Sequence, residues 1–175
     1  KYIFHQQNSK NPSLMNDLTE LVENFYSNKY LLELNNQWQS SINRINLWDD
    51  PAVSMQKNLF KDNVKPFLDR NKKIVVIISD AMRYEVGSEL VKKINNSDRF
   101  SSTITPAVSM LPSYTQLGMA ALLPNNDLEI ANDTTGAVKV DGINSQGVKN
   151  RSKILNKLSE KKAECINAPE FLNMD

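Results

Sequence analysis

Cysteine and histidine are nearly absent from this sequence, which contains one of each among 175 residues. A single cysteine, Cys165, cannot form a disulfide within the chain, and such low usage is typical of proteins that fold in a reducing cytoplasm. The single histidine, His5, has no cysteine or second histidine near it, which argues against a zinc site built from these residues. It also argues against a serine or cysteine catalytic triad, because those triads need a histidine base.

Glycine is also scarce. The five glycines do not occur in the spacing of a phosphate-binding or dinucleotide-binding loop, and no Gly-x-Ser-x-Gly motif is present. The charges nearly cancel, since 21 basic and 20 acidic residues leave a net charge of +1. No whole-chain field therefore draws the protein to nucleic acid or to an acidic membrane, and any contact with a polyanion must be local.

Long apolar runs are missing as well. The longest, residues 74–78 and 119–123, are much shorter than the roughly 20 residues of a membrane-spanning helix. The residues present show no secretory signal. The sequence therefore predicts a cytoplasmic protein with no membrane partner.

Residues 1–70 have the apolar spacing of helices. Apolar side chains recur every three or four positions in three stretches, of which the first follows Ser13 as a candidate N-cap and the third opens at Asp50-Pro51. The three apolar stripes consist of Leu14, Leu18, Leu21, Val22 and Phe25, then Leu31, Leu34, Trp38, Ile42 and Ile45, then Leu59, Phe60, Val64 and Phe67. This pattern predicts a helical lead-in segment that packs on another part of the protein.

Residues 71–175 alternate between strand and helix patterns. The run 74–78 is continuously apolar and mostly β-branched, as in a strand covered on both faces of a parallel sheet. Further predicted elements are strands over 101–105, 137–140 and 163–166, helices over 84–94 and 114–123, and a helix capped by Asn150. The alternation predicts an α/β domain whose parallel sheet is flanked by helices.

Asp80 comes just after the predicted strand 74–78. Ligands bind beyond the carboxyl ends of the strands in open α/β folds, and a carboxylate there suits a divalent metal ion. The alternative is that Asp80 only caps a helix that begins at Ala81. The residues alone leave both interpretations open.

Thr115 lies in the first turn of the predicted helix 114–123. Unpaired backbone N–H groups and the positive end of the helix dipole favour an anion there. A threonine alkoxide attacking phosphorus would be stabilised at this position, provided that a metal ion lowers the pKa of the hydroxyl. Ser113 is the rival nucleophile. The alternative is that Ser113 or Thr115 only caps the helix.

Arg83, Ser113 and Asp141 are candidate substrate-binding residues. Arg83 suits a phosphate oxygen, or it pairs with a nearby carboxylate as ordinary surface chemistry. Asp141 follows the predicted strand 137–140 and is either a second strand-end carboxylate or part of a turn with Gly142. The Asp-Gly pair favours the turn.

Two long strings resemble the PglZ domain, a branch of the alkaline phosphatase superfamily. They are SDAMRYE at residues 79–85 and PSYTQLGMAALLP at residues 112–124. The resemblance extends through residues 140–142 and 150–155 and upstream into residues 30–38, so it covers most of the chain. It implies an alkaline-phosphatase-like α/β fold and a metal-dependent phosphatase or phosphodiesterase that acts on a phosphate ester.

The resemblance also implies roles for two residues. Asp80 would be a ligand of one of two catalytic divalent metal ions, zinc or manganese, and Thr115 would be both a metal ligand and the nucleophile. Superfamily members take further aspartate and histidine ligands from far downstream, whereas this chain has no histidine after His5. We therefore expect an incomplete segment of a longer protein, which is inactive alone and binds no catalytic metal tightly.

PglZ proteins are similar to components of bacteriophage exclusion (BREX) systems, which implies phage defence in a bacterial cytoplasm. The implied partners are the remainder of the protein's own chain and other phage-defence components, while direct contact with nucleic acid stays open. The alternative function is a non-catalytic interaction module in a defence complex. A response-regulator receiver domain with Asp80 as phospho-acceptor fits less well, because an acidic pair after an early strand is missing and the Thr115 segment would have no role.

Overall fold

Two separate units make up the chain, residues 1–48 and residues 49–175. The computed structural model describes His5, Asn8, residues 16–158 and residues 163–174. Among these described residues, no helix is both long enough and apolar enough to cross a membrane.

Helix runs through the first unit, as its apolar spacing predicts. Asn16–Asn24 (α1), a π-helical stretch Phe25–Leu31 and Leu32–Ile42 (α2) follow one another without a break. None of the residues in these three elements is buried, and Phe25 and Trp38 expose 60% and 55% of their surface. The predicted N-cap Ser13 and the apolar position Leu14 lie outside the described residues. The described part of the first unit, residues 16–48, therefore does not bury its apolar side chains.

The second unit begins inside the stretch that the sequence assigns to the helical lead-in. It starts with a 3-10 turn Gln56–Asn58, a π-helical turn Phe60–Val64 and a short helix Lys65–Asp69 (α3). Met55 forms a parallel bridge with Val108 and is buried, as are Phe60 and Val64. These residues therefore belong to the compact unit 49–175. The predicted domain boundary near residue 70 stays a prediction.

The apolar run 74–78 pairs with no strand among the residues that the structure describes. Residues 72–79 form neither helix nor ladder within the described part of the chain. Val75 and Ile77 leave 78% and 87% of their surface exposed. The predicted parallel sheet is therefore absent from the described residues, because a strand exists only where a neighbouring segment accepts and donates its ladder hydrogen bonds.

Tyr84–Asn95 (α4) is the helix predicted over residues 84–94. Its last residue holds the next segment: Asn95 Oδ1 accepts a hydrogen bond from the backbone N–H of Ser102 (2.6 Å), and Asn95 Nδ2 donates to the Ser102 carbonyl (3.0 Å). Residues 101–105 are thus fixed at their start by a side chain and form no strand.

The core of the second unit lies where two helices meet a small sheet. The elements of this core are Thr115–Ala121 (α5), Leu128–Ile130 (β1), Val138–Val140 (β2), Ile143–Asn144 (β3) and Gly147–Leu158 (α6). A last helix, Ala168–Leu172 (α7), has no buried residue and is not part of the core. The sheet is antiparallel with β2 in the centre, where Val140 lies opposite Leu128 of β1 and Ile143 of β3. Val138, Val140 and Ile154 are fully buried and form one cluster with side chains from α5.

Two predicted helix starts and a third predicted strand are also wrong. Asp50 belongs to a turn, in which its Oδ1 accepts a hydrogen bond from the backbone N–H of Ala52 (2.8 Å). Asn150 lies inside α6, and its Nδ2 donates to the carbonyl oxygen of Gln146 (2.9 Å). Residues 163–166 form no strand. Both polar side chains bond to a nearby backbone group, which Asp and Asn do in turns and within helices as well as at helix starts.

Candidate active site

The turn after the apolar run holds Asp80 outside any helix. Helix α4 begins only at Tyr84 and has Arg83 as its N-cap residue, without a capping side chain. Asp80 Oδ1 accepts a hydrogen bond from the backbone N–H of Ala81 (2.9 Å), while Oδ2 has no hydrogen-bond partner in the described part of the chain. The interpretation of Asp80 as a helix cap is therefore wrong, and an exposed carboxylate oxygen remains available for a ligand.

Ala81, the next residue, has the unusual backbone angle φ of +57°. Residues with a Cβ atom rarely adopt this left-handed conformation, which costs about 1–2 kcal/mol. Strained residues of this kind cluster at functional sites. Here the strained residue directly follows Asp80, and its N–H donates to the Asp80 carboxylate.

Thr115 is the first residue of α5, and Tyr114 before it is the N-cap residue. No side chain caps this helix, so the interpretation of Ser113 or Thr115 as an N-cap is wrong. Both hydroxyl-bearing residues are exposed. The Thr115 hydroxyl has no hydrogen-bond partner among the residues that the structure describes. It is therefore available to contact a ligand.

Asp80 and Thr115 line the same cavity, of about 150 Å³. The remaining lining residues are Gln56, Ile78, Ser79, Gly118, Met119 and Leu122. The two residues that the sequence singles out from separate segments thus share one concave site. Their chemical roles stay a prediction.

The three candidate substrate-binding residues do not line this cavity. Arg83 is exposed, and its Nη1 lies 3.9 Å from Glu85 Oε1. Asp141 and Gly142 form the β2–β3 turn with φ angles of +47° and +79°, as the Asp-Gly pair favours. The Asp141 carboxylate accepts hydrogen bonds from the backbone N–H groups of residues 126 and 127 at 3.1–3.3 Å, so it has a structural use.

Three further polar residues at or near the site are not predicted by the sequence patterns. Gln56 joins the cavity from a segment read as helical lead-in, and Ser79 joins it beside Asp80. Gln116 Oε1, one residue after Thr115, is buried without a hydrogen-bond partner in the described residues. A buried acceptor of this kind normally has a donor, which here has to come from another group.

Shifted pKa values occur away from the cavity. Hydrogen bonds from the Thr135 hydroxyl and backbone N–H lower the pKa of Asp133. Burial raises the pKa of the Cys165 thiol, partly offset by the charge of Arg151. No group of three or more His, Cys, Asp or Glu residues that could hold a metal ion occurs in the ranges that the structure describes.

Most of this chain matches one known protein family. The sequence profile of the BREX system PglZ alkaline phosphatase-like domain matches residues 59–175. The chain belongs to the PglZ family. The match includes Asp80 and Thr115 and begins three residues after Gln56, so one wall of the cavity comes from outside the matched PglZ residues.

Two curated proteins are similar over most of the chain. The alkaline phosphatase-like protein BrxZ of Escherichia coli O9:H4 (strain HS) is 42% identical over 152 residues, which is 84% of this chain and 18% of BrxZ. The alkaline phosphatase-like protein PglZ of Bacillus cereus (strain H3081.97) is 34% identical over 142 residues, 80% of this chain and 16% of that protein. The chain therefore spans less than a fifth of either relative. No solved structure matches it significantly.

Proposed function

We propose that this chain supplies part of the active site of a metal-dependent phosphatase or phosphodiesterase of the PglZ family, with Thr115 as the nucleophile, in bacterial phage defence. The observation that carries the proposal is the shared cavity: Asp80 from one segment and Thr115 from another line the same small space. The names of both relatives, alkaline phosphatase-like proteins, support a hydrolase.

The two candidate ligands have the chemistry that a divalent cation needs, but they are fewer than a complete site requires. Asp80 offers a carboxylate oxygen and Thr115 a hydroxyl, which are hard donors suited to zinc or manganese. A catalytic zinc ion normally has three protein ligands. Further ligands would have to come from the remainder of a longer protein. When bound, the metal would lower the pKa of the Thr115 hydroxyl and offset the negative charge of the phosphoryl group.

In this proposal, Thr115 attacks the phosphorus atom of the substrate. Its exposed hydroxyl is not committed to a hydrogen bond within the described residues, so Oγ1 can approach a phosphorus atom in the cavity. The Oγ1–phosphorus bond forms as the bond from phosphorus to the ester oxygen breaks; the hydroxyl gives its proton to solvent water, and the departing ester oxygen takes a proton from solvent and leaves as the alcohol. Water then hydrolyses the threonine phosphate and regenerates the hydroxyl.

Turnover by variants of the full-length protein tests this function. Thr115→Ala should reduce hydrolysis of phosphomonoester and phosphodiester model substrates to background with added zinc or manganese. The free energy of unfolding should change by no more than about 0.5 kcal/mol, because the exposed hydroxyl makes no bond in the structure. Ser113→Ala, the matched control two residues away, should retain turnover. A dead Ser113 variant would reassign the nucleophile, and two fully active variants would place the reaction elsewhere.

An interaction module is the second candidate, and the exposed apolar run favours it. Val75 and Ile77 present most of their surface to solvent, as a segment that docks on another chain would. Its partners would be other phage-defence components. A module of this type predicts that Asp80→Asn and Thr115→Ala variants keep full defence in infected cells, whereas the enzyme predicts that both lose it.

A further inference from the structure

Gln56 joins the two ends of the segment that carries Thr115. Its side-chain Oε1 accepts a hydrogen bond from the backbone N–H of Met110 (3.2 Å), and its Nε2 donates to the carbonyl oxygen of Gly118 (3.3 Å). Met110 precedes Thr115 and Gly118 follows it. One amide group thus spans the nucleophile's segment from both sides.

The backbone of Gln56 is itself anchored. Its N–H donates to the carbonyl oxygen of Val108 (2.8 Å), and the N–H of Val108 donates to the carbonyl oxygen of Ser54 (2.8 Å). The adjacent Met55 is buried with only 4% of its surface exposed. Because its base is fixed, the Gln56 side chain can hold the segment from Met110 to Gly118 in place instead of moving with it.

Gly118 allows this close contact. A Cβ atom added at Gly118 would lie 3.3 Å from Gln56 Nε2, which is tighter than ordinary van der Waals contact. Glycine inside a helix otherwise destabilises the helix relative to alanine. The need for the amide to reach the Gly118 carbonyl gives a physical reason for glycine at this position.

We propose that Gln56 is a positioning residue, which sets the location of Thr115 relative to Asp80 in the cavity that all three line. The inference rests on the proposed phosphoryl-transfer function. It extends that function to a residue that lies before the matched PglZ region, residues 59–175. A displaced nucleophile reacts slowly even when substrate still binds, because rate depends steeply on the distance and alignment of the reacting atoms.

The test measures kcat and KM of the full-length protein for a phosphoester model substrate. Gln56→Ala should lower kcat by about 10- to 100-fold and leave KM within about twofold, since the change acts on alignment. Gln56→Glu keeps an acceptor for Met110 but cannot donate to Gly118 when ionised, so it should also lower kcat.

Asn125→Ala is the matched control. Asn125 Nδ2 donates to the carbonyl oxygen of Lys57 (3.1 Å), and so it joins the same 3-10 turn to the residues after α5, but Asn125 does not line the cavity. Its loss should lower the melting temperature and leave kcat unchanged. A general loss of packing would instead lower kcat in the Asn125 and Gln56 variants alike.

Gly118→Ala supplies an independent measurement of the same contact. The added methyl group should displace the Gln56 amide and lower kcat in the wild-type background, but should have little further effect in Gln56→Ala. The proposal would be overturned if Gly118→Ala lowered kcat by the same factor in the wild-type and Gln56→Ala backgrounds. So would a Gln56→Ala or Gln56→Glu protein with wild-type kcat. If Thr115→Ala is also fully active, the proposed function fails as well; if Thr115→Ala is dead, the positioning role alone fails.

Discussion

Residues 115–158 and residues 72–105 differ in how their apolar side chains are used. In the first region, α5, α6 and the small sheet bury Val138, Val140 and Ile154 completely. In the second region, Val75 and Ile77 are mostly exposed, and the run that contains them has no ladder partner within the described residues. The candidate site takes Thr115 from the packed region and Asp80 from the open one.

The two regions differ in how far apart in the sequence their hydrogen-bonding partners lie. A helix bonds within itself, and each strand of a hairpin such as β2–β3 bonds to the other across a two-residue turn, so a short stretch of sequence contains both partners. A parallel strand needs a partner from a distant part of the chain. Residues 115–158 contain the backbone partners of their own helices and hairpin, whereas the described residues contain no strand partner for the run 74–78.

The largest effect that the comparison predicts is at Ile154. Ile154→Ala removes a side chain with no exposed surface from the central cluster, so the free energy of unfolding should fall by about 2–5 kcal/mol. Chemical denaturation of this chain followed by circular dichroism measures the loss. A loss below about 1 kcal/mol would mean that the cluster is not the folding core of the second unit.

The smallest effect is expected at Ile77, which is the matched control for Ile154. Ile77→Ala should change the free energy of unfolding of this chain by about 0.5 kcal/mol or less, because 87% of the residue's surface is already exposed. The same change in the full-length protein sharpens the comparison. A cost of about 2 kcal/mol or more there would indicate that the remainder of the protein covers the run, as the predicted parallel sheet requires.

The sequence predicts elements whose signals are local. The apolar spacing correctly predicts the helices that begin at Tyr84 and Thr115, and the Asp141-Gly142 pair correctly predicts the β2–β3 turn. The start expected at Asp50 is wrong because the same side chain also closes a turn. Apolar composition at 74–78 specifies burial on both faces, but it does not specify where the covering segments come from.

The candidate site is predictable only in part, for a similar reason. Motif similarity singles out Asp80 and Thr115, and the structure places both on one cavity. Gln56 is not predictable from a pattern, because its contact with Gly118 joins residues 62 positions apart. Gly118 offers a faint signal, since a glycine within an apolar helix often marks a close approach by another group.

Detection of a phosphorylated Thr115 tests the central claim most directly. The full-length protein is mixed with excess phosphomonoester and the metal ion, quenched in acid during turnover, digested and sequenced by mass spectrometry. The account predicts phosphate on Thr115 in the wild-type and Ser113→Ala proteins, and none on this peptide in Thr115→Ala. Turnover with no phosphate on Thr115, or with phosphate on Ser113 instead, would contradict it.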